Sequence, residues 1–268
     1  MGVLSNKENL IKSREIFEKL YKDYNKRIYV SPDPLQFLYD YEVPADREIV
    51  GIIASSLAYG RVAQILKSVQ KVLAVLGPSP SKYLKDVEQG EMEEKFKGFV
   101  HRFTNEHEIV SFLNCISGVL KRGGSLESLF MSNYNGNTWT AAEAFSEELM
   151  ACGGRDKMYL LPKPSKGSAC KRLALFLRWM ARCDEVDPGG WNKLTPDSLF
   201  VPLDTHMFNI CSTLGLCTQK SANGRSAIEI TEAFRVICPE DPVRYDFSLT
   251  RFGIRNDMTV QELFSKWN

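Results

Sequence analysis

The stretch from Asp46 to Leu76 constrains the fold most, because its apolar residues recur at helical spacing almost throughout. A first helix, which Asp46 is expected to cap, places four apolar side chains on one face: Ile49, Ile52, Ile53 and Leu57. After an interruption at Tyr59-Gly60-Arg61, the same period continues up to Gly77. Helices this apolar must be covered by other elements of the chain.

The remaining sequence predicts that the covering elements are helices as well. Helical periodicity is present over 8–26, 104–122, 138–151, 168–182, 207–214, 226–237 and 247–254. A capping box at 259–262 predicts the start of a final helix. We find no convincing alternation of apolar and polar residues that would indicate a strand. The sequence therefore predicts an all-α fold.

The charge balance sets a condition on nucleic-acid binding. Lys and Arg number 34 and Asp and Glu number 33, so the bulk charge supplies no attraction to phosphate. Any surface for nucleic acid must arise from local clustering of cations. The 268 residues are enough to bury a sizeable core, in one large domain or in two smaller lobes.

The cysteines and histidines favour a reduced protein without a metal centre. The seven cysteines are odd in number and scattered, with no C-x-x-C pair, which is typical of a cytosolic protein with free thiols. The three histidines are too few and too dispersed for a zinc site. No secretory signal and no apolar run of transmembrane length occurs. We expect a cytoplasmic protein with no metal, no cofactor and no membrane attachment.

One carboxylate stands at the start of an amphipathic helix. Asp204 lies at the N-cap position, and the apolar residues after it recur at i, i+3, i+4 and i+7: Met207, Ile210, Cys211 and Leu214. Gly215 is placed to end this helix. The segment reads Leu-Asp-Thr-His from 203 to 206, then an apolar helix, then Leu-Gly-Leu from 214 to 216. It resembles the segment that carries the catalytic aspartate in helix-hairpin-helix DNA glycosylases. An ordinary N-cap is the alternative role, and one aspartate can serve both.

The resemblance covers about 46–255 and implies a two-lobed, helix-hairpin-helix DNA glycosylase-like fold. One lobe would comprise 62–182 with the hairpin, and the second would comprise 1–61 together with 183–268. The whole chain looks closest to an uncharacterised bacterial and archaeal family within that superfamily, which brings a fold but no established reaction. Many glycosylases hold an iron–sulfur cluster on four cysteines after the aspartate. Only three cysteines follow Asp204 here, so no cluster is expected.

The hairpin is expected to turn within 160–167 and to continue in a helix over 168–182. On that helix Lys171, Arg178 and Arg182 fall on one stripe, opposite the apolar residues, which predicts a face of cations. The helix N-terminus would also offer free N–H groups to a phosphate. The predicted nucleic-acid contacts are therefore Lys166, Gly167, Ser168, Arg172, Arg178 and Arg182. A solvated face without a ligand is the alternative.

Lys171 best matches the family lysine that attacks the sugar carbon C1′ as an amine. The match has departures, because the family hairpin reads Leu-Pro-Gly-x-Gly-x-Lys, whereas Leu161-Pro162 is followed here by Lys163-Pro164. In addition, 33 residues separate Lys171 from Asp204, and the segment 183–199 looks inserted. A similarly long connection occurs in some archaeal 8-oxoguanine glycosylases that the chain also resembles.

Three further residues are candidates for contact with a base. Tyr59 and Arg61 lie where glycosylases often place residues that fill the gap left by an extruded base, although an ordinary helix break explains them too. Trp191, after Gly189-Gly190, either stacks on a base or anchors a loop in the core.

The resemblance implies a DNA glycosylase, with or without an AP-lyase step, that removes a damaged or mispaired base through Asp204 and Lys171. Its partner would be double-stranded DNA, and we expect a monomer with no obligate protein partner. Two alternatives stay open at this point. One is a non-enzymatic nucleic-acid-binding protein with the same fold. The other is an N-glycosidase that acts on RNA or on nucleosides.

Overall fold

The computed structural model describes residues 7–88, 90–155 and 157–254, and Leu263. Within these ranges the chain forms α-helices, two very short strands and four 3₁₀ segments (Arg27–Tyr29, Pro34–Asp40, Pro164–Lys166 and Pro196–Ser198). The helices are α1 (Lys7–Lys12), α2 (Arg14–Tyr24), α3 (Pro44–Ser56), α4 (Val62–Leu76), α5 (Pro80–Asp86), α6 (Glu91–Lys95), α7 (Glu106–Lys121), α8 (Leu126–Ser132), α9 (Thr138–Cys152), α10 (Lys171–Ala181), α11 (Thr205–Leu214), α12 (Gly224–Ile237) and α13 (Asp246–Ile254). The strands β1 (Val100–His101) and β2 (Thr104–Asn105) pair antiparallel.

The predicted all-α class is confirmed, and most of the predicted helices lie where their periodicity placed them. The helix expected over 8–26 is divided at Ser13 into α1 and α2. Three short helices, α5, α6 and α8, and the hairpin of β1 and β2 were not predicted, since segments of five to seven residues carry little periodicity. The capping box expected at 259–262 lies outside the described residues.

Asp46 does not cap its own helix, contrary to the prediction. Helix α3 begins two residues earlier at Pro44, a residue suited to the first turn because it has no N–H to satisfy. The carboxylate of Asp46 instead accepts hydrogen bonds from the Ser81 backbone N–H at 2.8 Å and from the Ser79 hydroxyl at 3.2 Å. Asp46 therefore satisfies the N-terminal donors of α5, a helix that follows in the chain.

Helix α3 is the central element of the packing. It lies against α10, against α5 and against the 3₁₀ segment Pro34–Asp40. The N-terminal helices pack on the C-terminal ones, α1 on α12 and α2 on α13, whereas α5, α8 and α9 pack around or beside α7. Contacts thus group the two termini together, while the partition into two lobes at 61/62 and 182/183 remains a prediction.

The described residues include no helix that is both long enough and apolar enough to cross a lipid bilayer. All seven cysteines lie within the described ranges and are free thiols.

Candidate active site

An amine and a carboxylate from different helices meet in a cavity. Lys171 is the first residue of α10 and Asp204 is the N-cap of α11, and Lys171 Nζ lies 2.9 Å from Asp204 Oδ2. The two side chains are partly accessible, with 34 % and 17 % of their surfaces exposed. The sequence-predicted pair is therefore close in space despite the 33 residues between its members.

The two oxygens of Asp204 have separate partners. Oδ1 accepts the backbone N–H of Met207 at 2.9 Å, which is the N-cap bond expected from the sequence, and Oδ2 contacts Lys171. Burial alone would raise the pKa of Asp204, but the charge of Lys171 and the hydrogen bonds from Met207 and Lys171 outweigh it, so the pKa lies below its ordinary value. Asp204 is thus a fixed anion at neutral pH, with one oxygen turned to the amine.

The pair lies in a cavity of about 320 Å³ built from segments distant in the chain. This volume is at the lower end of the range of about 300–1,000 Å³ that is usual for small-molecule sites. The walls come from the 3₁₀ segment near Pro34, the junction of α3 and α4, and helices α10, α11 and α13. The lining residues include Asp33, Ala58, Gly60, Val62, Ile65, Leu175, His206, Asp246, Thr250, Arg251 and Gly253.

Sequence reasoning missed the charged floor of this cavity. Asp246, only 3 % exposed, pairs with Arg178, and its Oδ1 has no hydrogen-bond partner among the described residues. Arg251 donates to the Tyr29 carbonyl and lies 3.4 Å from Asp33. The sequence offers one signal for this floor, since Asp246 and Arg251 lie in the first and last turns of α13.

The far wall of the cavity depends on a close approach of α11 to α13. The His206 ring lies against Gly253, where a Cβ would come within 2.9 Å of the His206 Cβ. Gly253 therefore leaves the space that the first turn of α11 occupies, and any larger side chain would push Asp204 and its helix away from α13.

The predicted stripe of exposed cations on α10 is wrong for two of its three members. Arg178 and Arg182 are each only 3 % exposed. Arg178 pairs with Asp187 at 3.2 Å and with Asp246, and Arg182 pairs with Asp187 and with two further carboxylates, Asp184 at 2.8 Å and Asp241 at 2.9 Å.

The physical reason lies in the segment 183–199, which looked inserted. Asp184 and Asp187 fold back over α10, where Asp187 is completely buried and Asp184 accepts the backbone N–H groups of Val186 and Asp187. These carboxylates take the place of water as partners of Arg178 and Arg182, because burial of a guanidinium without partners costs free energy. Helical periodicity cannot show that a later loop supplies such partners.

We predict that Arg182→Ala lowers the free energy of unfolding by about 3–5 kcal/mol, because it leaves buried carboxylates without their counter-charge. The measurement is urea unfolding of the variant beside wild type. Lys12→Ala is the matched control, since Lys12 pairs with Glu8 at an exposed position, and such a pair contributes only about 0–1 kcal/mol. A loss for Arg182→Ala no larger than that of the control would contradict the buried network.

A second prediction concerns pH. Burial raises the pKa of Asp246 to about 6, with Arg178 opposing and Asp204 adding to the rise. The unfolded chain has an aspartate pKa of about 3.9, so between pH ~4 and ~6 the folded protein binds this proton more tightly. The contribution of Asp246 to stability therefore falls as pH rises through that window, by about 3 kcal/mol in total.

Asp246→Asn removes this titration. The unfolding free energy of the variant, relative to wild type, should accordingly increase by about 3 kcal/mol from pH ~4 to pH ~7, whatever its absolute loss of stability. Chemical unfolding at several pH values measures the difference. A constant difference for Asp246→Asn over this pH range would refute the assignment.

The turn before α10 is exposed but already holds a carboxylate. Lys166, Gly167 and Ser168 are at the surface, and Gly167 adopts a left-handed conformation with φ 76°. The neighbouring Ser165 donates its backbone N–H and its hydroxyl to Glu143, both at 2.7 Å. Helix α10 begins only at Lys171, three residues later than predicted, because Cys170 is itself left-handed with φ 49°. Glu143 therefore occupies donors that a phosphate at this turn would need.

Arg172 is committed to neighbouring backbone rather than free. Its guanidinium donates to the carbonyls of Ser56 at 3.0 Å and Tyr159 at 2.6 Å, and it lies over the rings of Tyr59 and Tyr159. Of the six predicted nucleic-acid contacts, the structure thus places three at an exposed turn and the three arginines in protein contacts.

The base-contact candidates have different surroundings. The Tyr59 hydroxyl contacts the His101 carbonyl at 3.0 Å and Thr104 Oγ1 at 2.6 Å, so Tyr59 is half-buried against the β hairpin, while Arg61 is exposed. Trp191 is buried and donates its indole N–H to Glu48 at 2.7 Å, away from the cavity. The core-anchor alternative for Trp191 is therefore the one that the structure supports.

Among the described residues, no group of three or more His, Cys, Asp or Glu side chains could hold a metal ion.

The comparisons with known proteins give one family. A family model described as "Protein of unknown function (DUF2400)" matches residues 33–255, which includes all the residues that line the cavity except Pro32. No curated protein matches the chain, and no solved structure matches it. The expected similarity to an uncharacterised family is confirmed, whereas the relationship to helix-hairpin-helix glycosylases finds no support in these comparisons.

Proposed function

The chain belongs to the DUF2400 family, and we propose that it is a DNA glycosylase with a lyase step, in which Lys171 is the nucleophile and Asp204 its proton acceptor. One observation carries the proposal, namely the 2.9 Å contact of Lys171 Nζ with Asp204 Oδ2 inside the cavity. The resemblance around Asp204 suggests the reaction, and the geometry supplies the two groups that it needs.

The chemistry follows from the two partners. Nζ first gives up its ammonium proton to solvent, and the freed lone pair forms a bond to the sugar carbon C1′ while Asp204 remains ionised. The C1′–N bond breaks, its electron pair leaves with the base, and the base gains a proton from solvent. As that bond lengthens, positive charge develops on the sugar, and an ionised Asp204 stabilises it. Asp204 Oδ2 then takes the second proton that the bonded nitrogen must lose and passes it to the ring oxygen O4′ as the C1′–O4′ bond breaks, which leaves a Schiff base at Nζ. Loss of a C2′ proton to solvent then expels the 3′-phosphate.

The cavity suits a substrate that is turned out of a duplex. Its volume of about 320 Å³ admits one base and sugar rather than a stacked pair, and apolar residues on one side, such as Ile65 and Leu175, offer a surface for a ring. Extrusion of a base costs a few kcal/mol, least for a mismatched or damaged one. Each of the three carboxylates that line the cavity is paired with a cation of the lining, so no lining cation is left free for a phosphate, and the DNA backbone is expected to remain outside.

The test is a screen of purified protein for base release against duplexes that each carry one damaged or mispaired base, with parallel arms of RNA and free nucleosides. We expect release from at least one duplex and strand nicking at the same site. Duplex binding without release on any duplex would favour the binding-module alternative, and release only from RNA or nucleosides would favour an N-glycosidase. No binding of nucleic acid at low salt would refute both the DNA glycosylase and the binding module.

A further inference from the structure

Two large aromatic side chains are exposed side by side near the cavity. Phe103 is 67 % exposed and Tyr159 is 46 % exposed. A single exposed apolar residue needs no explanation, but these two rings are in edge-to-face contact, with centroids 5.7 Å apart. Tyr59 lies behind them, 5.1 Å from the Tyr159 ring. We call Phe103, Tyr159 and Tyr59 the aromatic platform.

The platform is held rigidly. Phe103 occupies the two-residue turn between β1 and β2, whose register pairs His101 with Thr104. The other turn residue, Arg102, has a left-handed φ of 51°. Residues other than glycine rarely adopt this backbone conformation unless their surroundings enforce it. The Tyr59 hydroxyl bridges both strands of this hairpin. The Phe103 ring is therefore displayed to solvent by a fixed backbone rather than by a loose loop.

Positive charge accompanies the rings. Arg102 lies 5.4 Å from the centroid of Phe103, and Arg172 lies 4.7 Å from that of Tyr159. Neither arginine forms an ion pair with a described carboxylate, in contrast to Arg178 and Arg182. Aromatic faces next to unneutralised guanidinium groups match a ligand that has both flat rings and negative charge.

The platform adjoins the cavity through Gly60. Gly60 lines the cavity, and the Arg102 side chain lies so close over it that a Cβ there would be 2.6 Å from Arg102 Cδ. A strand of nucleic acid lying on the platform would thus have its next nucleotides at the entrance to the Lys171–Asp204 pair.

We propose that the aromatic platform is a base-stacking surface that holds nucleic acid beside the cavity, with Phe103 as its outermost ring. This proposal rests on the proposed function for the identity of the ligand. The platform would also provide a contact for nucleic acid that the turn before α10 does not, because Glu143 already accepts the backbone N–H of Ser165 in that turn. Each stacked base contributes about 1–3 kcal/mol, whatever its sequence.

The test measures the dissociation constant of a fluorescent duplex that carries a reduced abasic analogue, which cannot react at C1′ and which leaves the base opposite it unpaired and free to stack. We expect Phe103→Ala to weaken binding by a factor of about 5 to 150, the equivalent of one lost stacking contact. Phe103→Tyr should bind as wild type does. Ile228→Ala is the matched control, because Ile228 is an exposed apolar residue on α12 that does not line the cavity.

Phe103→Trp gives a second readout, since an indole at the turn should lose fluorescence when a base stacks on it. Unchanged affinity of Phe103→Ala together with unquenched Phe103→Trp would overturn the platform, even if wild type releases bases. Conversely, binding that depends on Phe103 without base release on any lesion would retain the platform and refute the glycosylase. Absence of any binding by wild type would overturn both.

Discussion

Asp204→Asn is expected to abolish base release, with a loss of at least about 10³-fold in rate, while duplex affinity stays near that of wild type. The substitution removes the charge that stabilises the developing sugar cation and the acceptor for the Lys171 proton, 2.9 Å away. No phosphate contact is lost with it. The measurement is single-turnover base release on the best substrate of the lesion screen, beside a binding titration.

The unfolding free energy of Asp204→Asn distinguishes a loss of catalysis from misfolding of the variant. Asparagine is as good an N-cap as aspartate, so the bond from the Met207 N–H should persist and α11 should still form. Asp86→Asn is the control for the loss of one carboxylate at an exposed site. If the Asp204 variant released bases at the wild-type rate, Asp204 would be only an N-cap.

Lys171→Gln has the second large effect, complete loss of the covalent complex that borohydride traps between protein and DNA. Only an amine forms the Schiff base that borohydride reduces, and glutamine of similar length has none. Gel electrophoresis after reduction detects the complex. Strand nicking should disappear in parallel.

Lys12→Gln is the matched control, because Lys12 is an exposed lysine of α1 and does not line the cavity. Its variant should trap DNA as wild type does. A trapped complex that survives in Lys171→Gln would assign the nucleophile to another amine. Base release that survives without trapping would indicate that water, rather than Lys171, attacks C1′.

The sequence predicted the helices wherever local rules decide. Gly77 ends α4 and Gly215 ends α11 because both adopt positive φ, and Asp204 caps α11 through a bond to a residue three positions away. These contacts are local, so the order of residue types is sufficient to predict them. Asp46 is the exception, because its partners at 79 and 81 lie on a later helix.

The sequence singled out the Lys171–Asp204 pair of the cavity but not its charged floor. Lys171 and Asp204 carry recognisable neighbours in the sequence, whereas Asp246 and Arg251 acquire their surroundings from α10 and from Tyr29. The same long-range dependence explains Arg178 and Arg182, whose exposure was predicted from the helix alone. Helical periodicity predicts that a charged face is exposed to solvent. The same face is buried when a distant loop, here the segment 183–199, supplies carboxylates to pair with its cations.

Arg251 and Asp33 pair across 218 residues of chain, and both line the cavity that contains Lys171 and Asp204. During synthesis the N-terminal wall leaves the ribosome long before the last wall exists, since translation proceeds at about 5–20 residues per second. Lys171 is therefore synthesised before the α13 wall that encloses it in the cavity. The cavity is complete only after α13 has been synthesised and has packed against α11, so the proposed nucleophile has no enclosed site before that point.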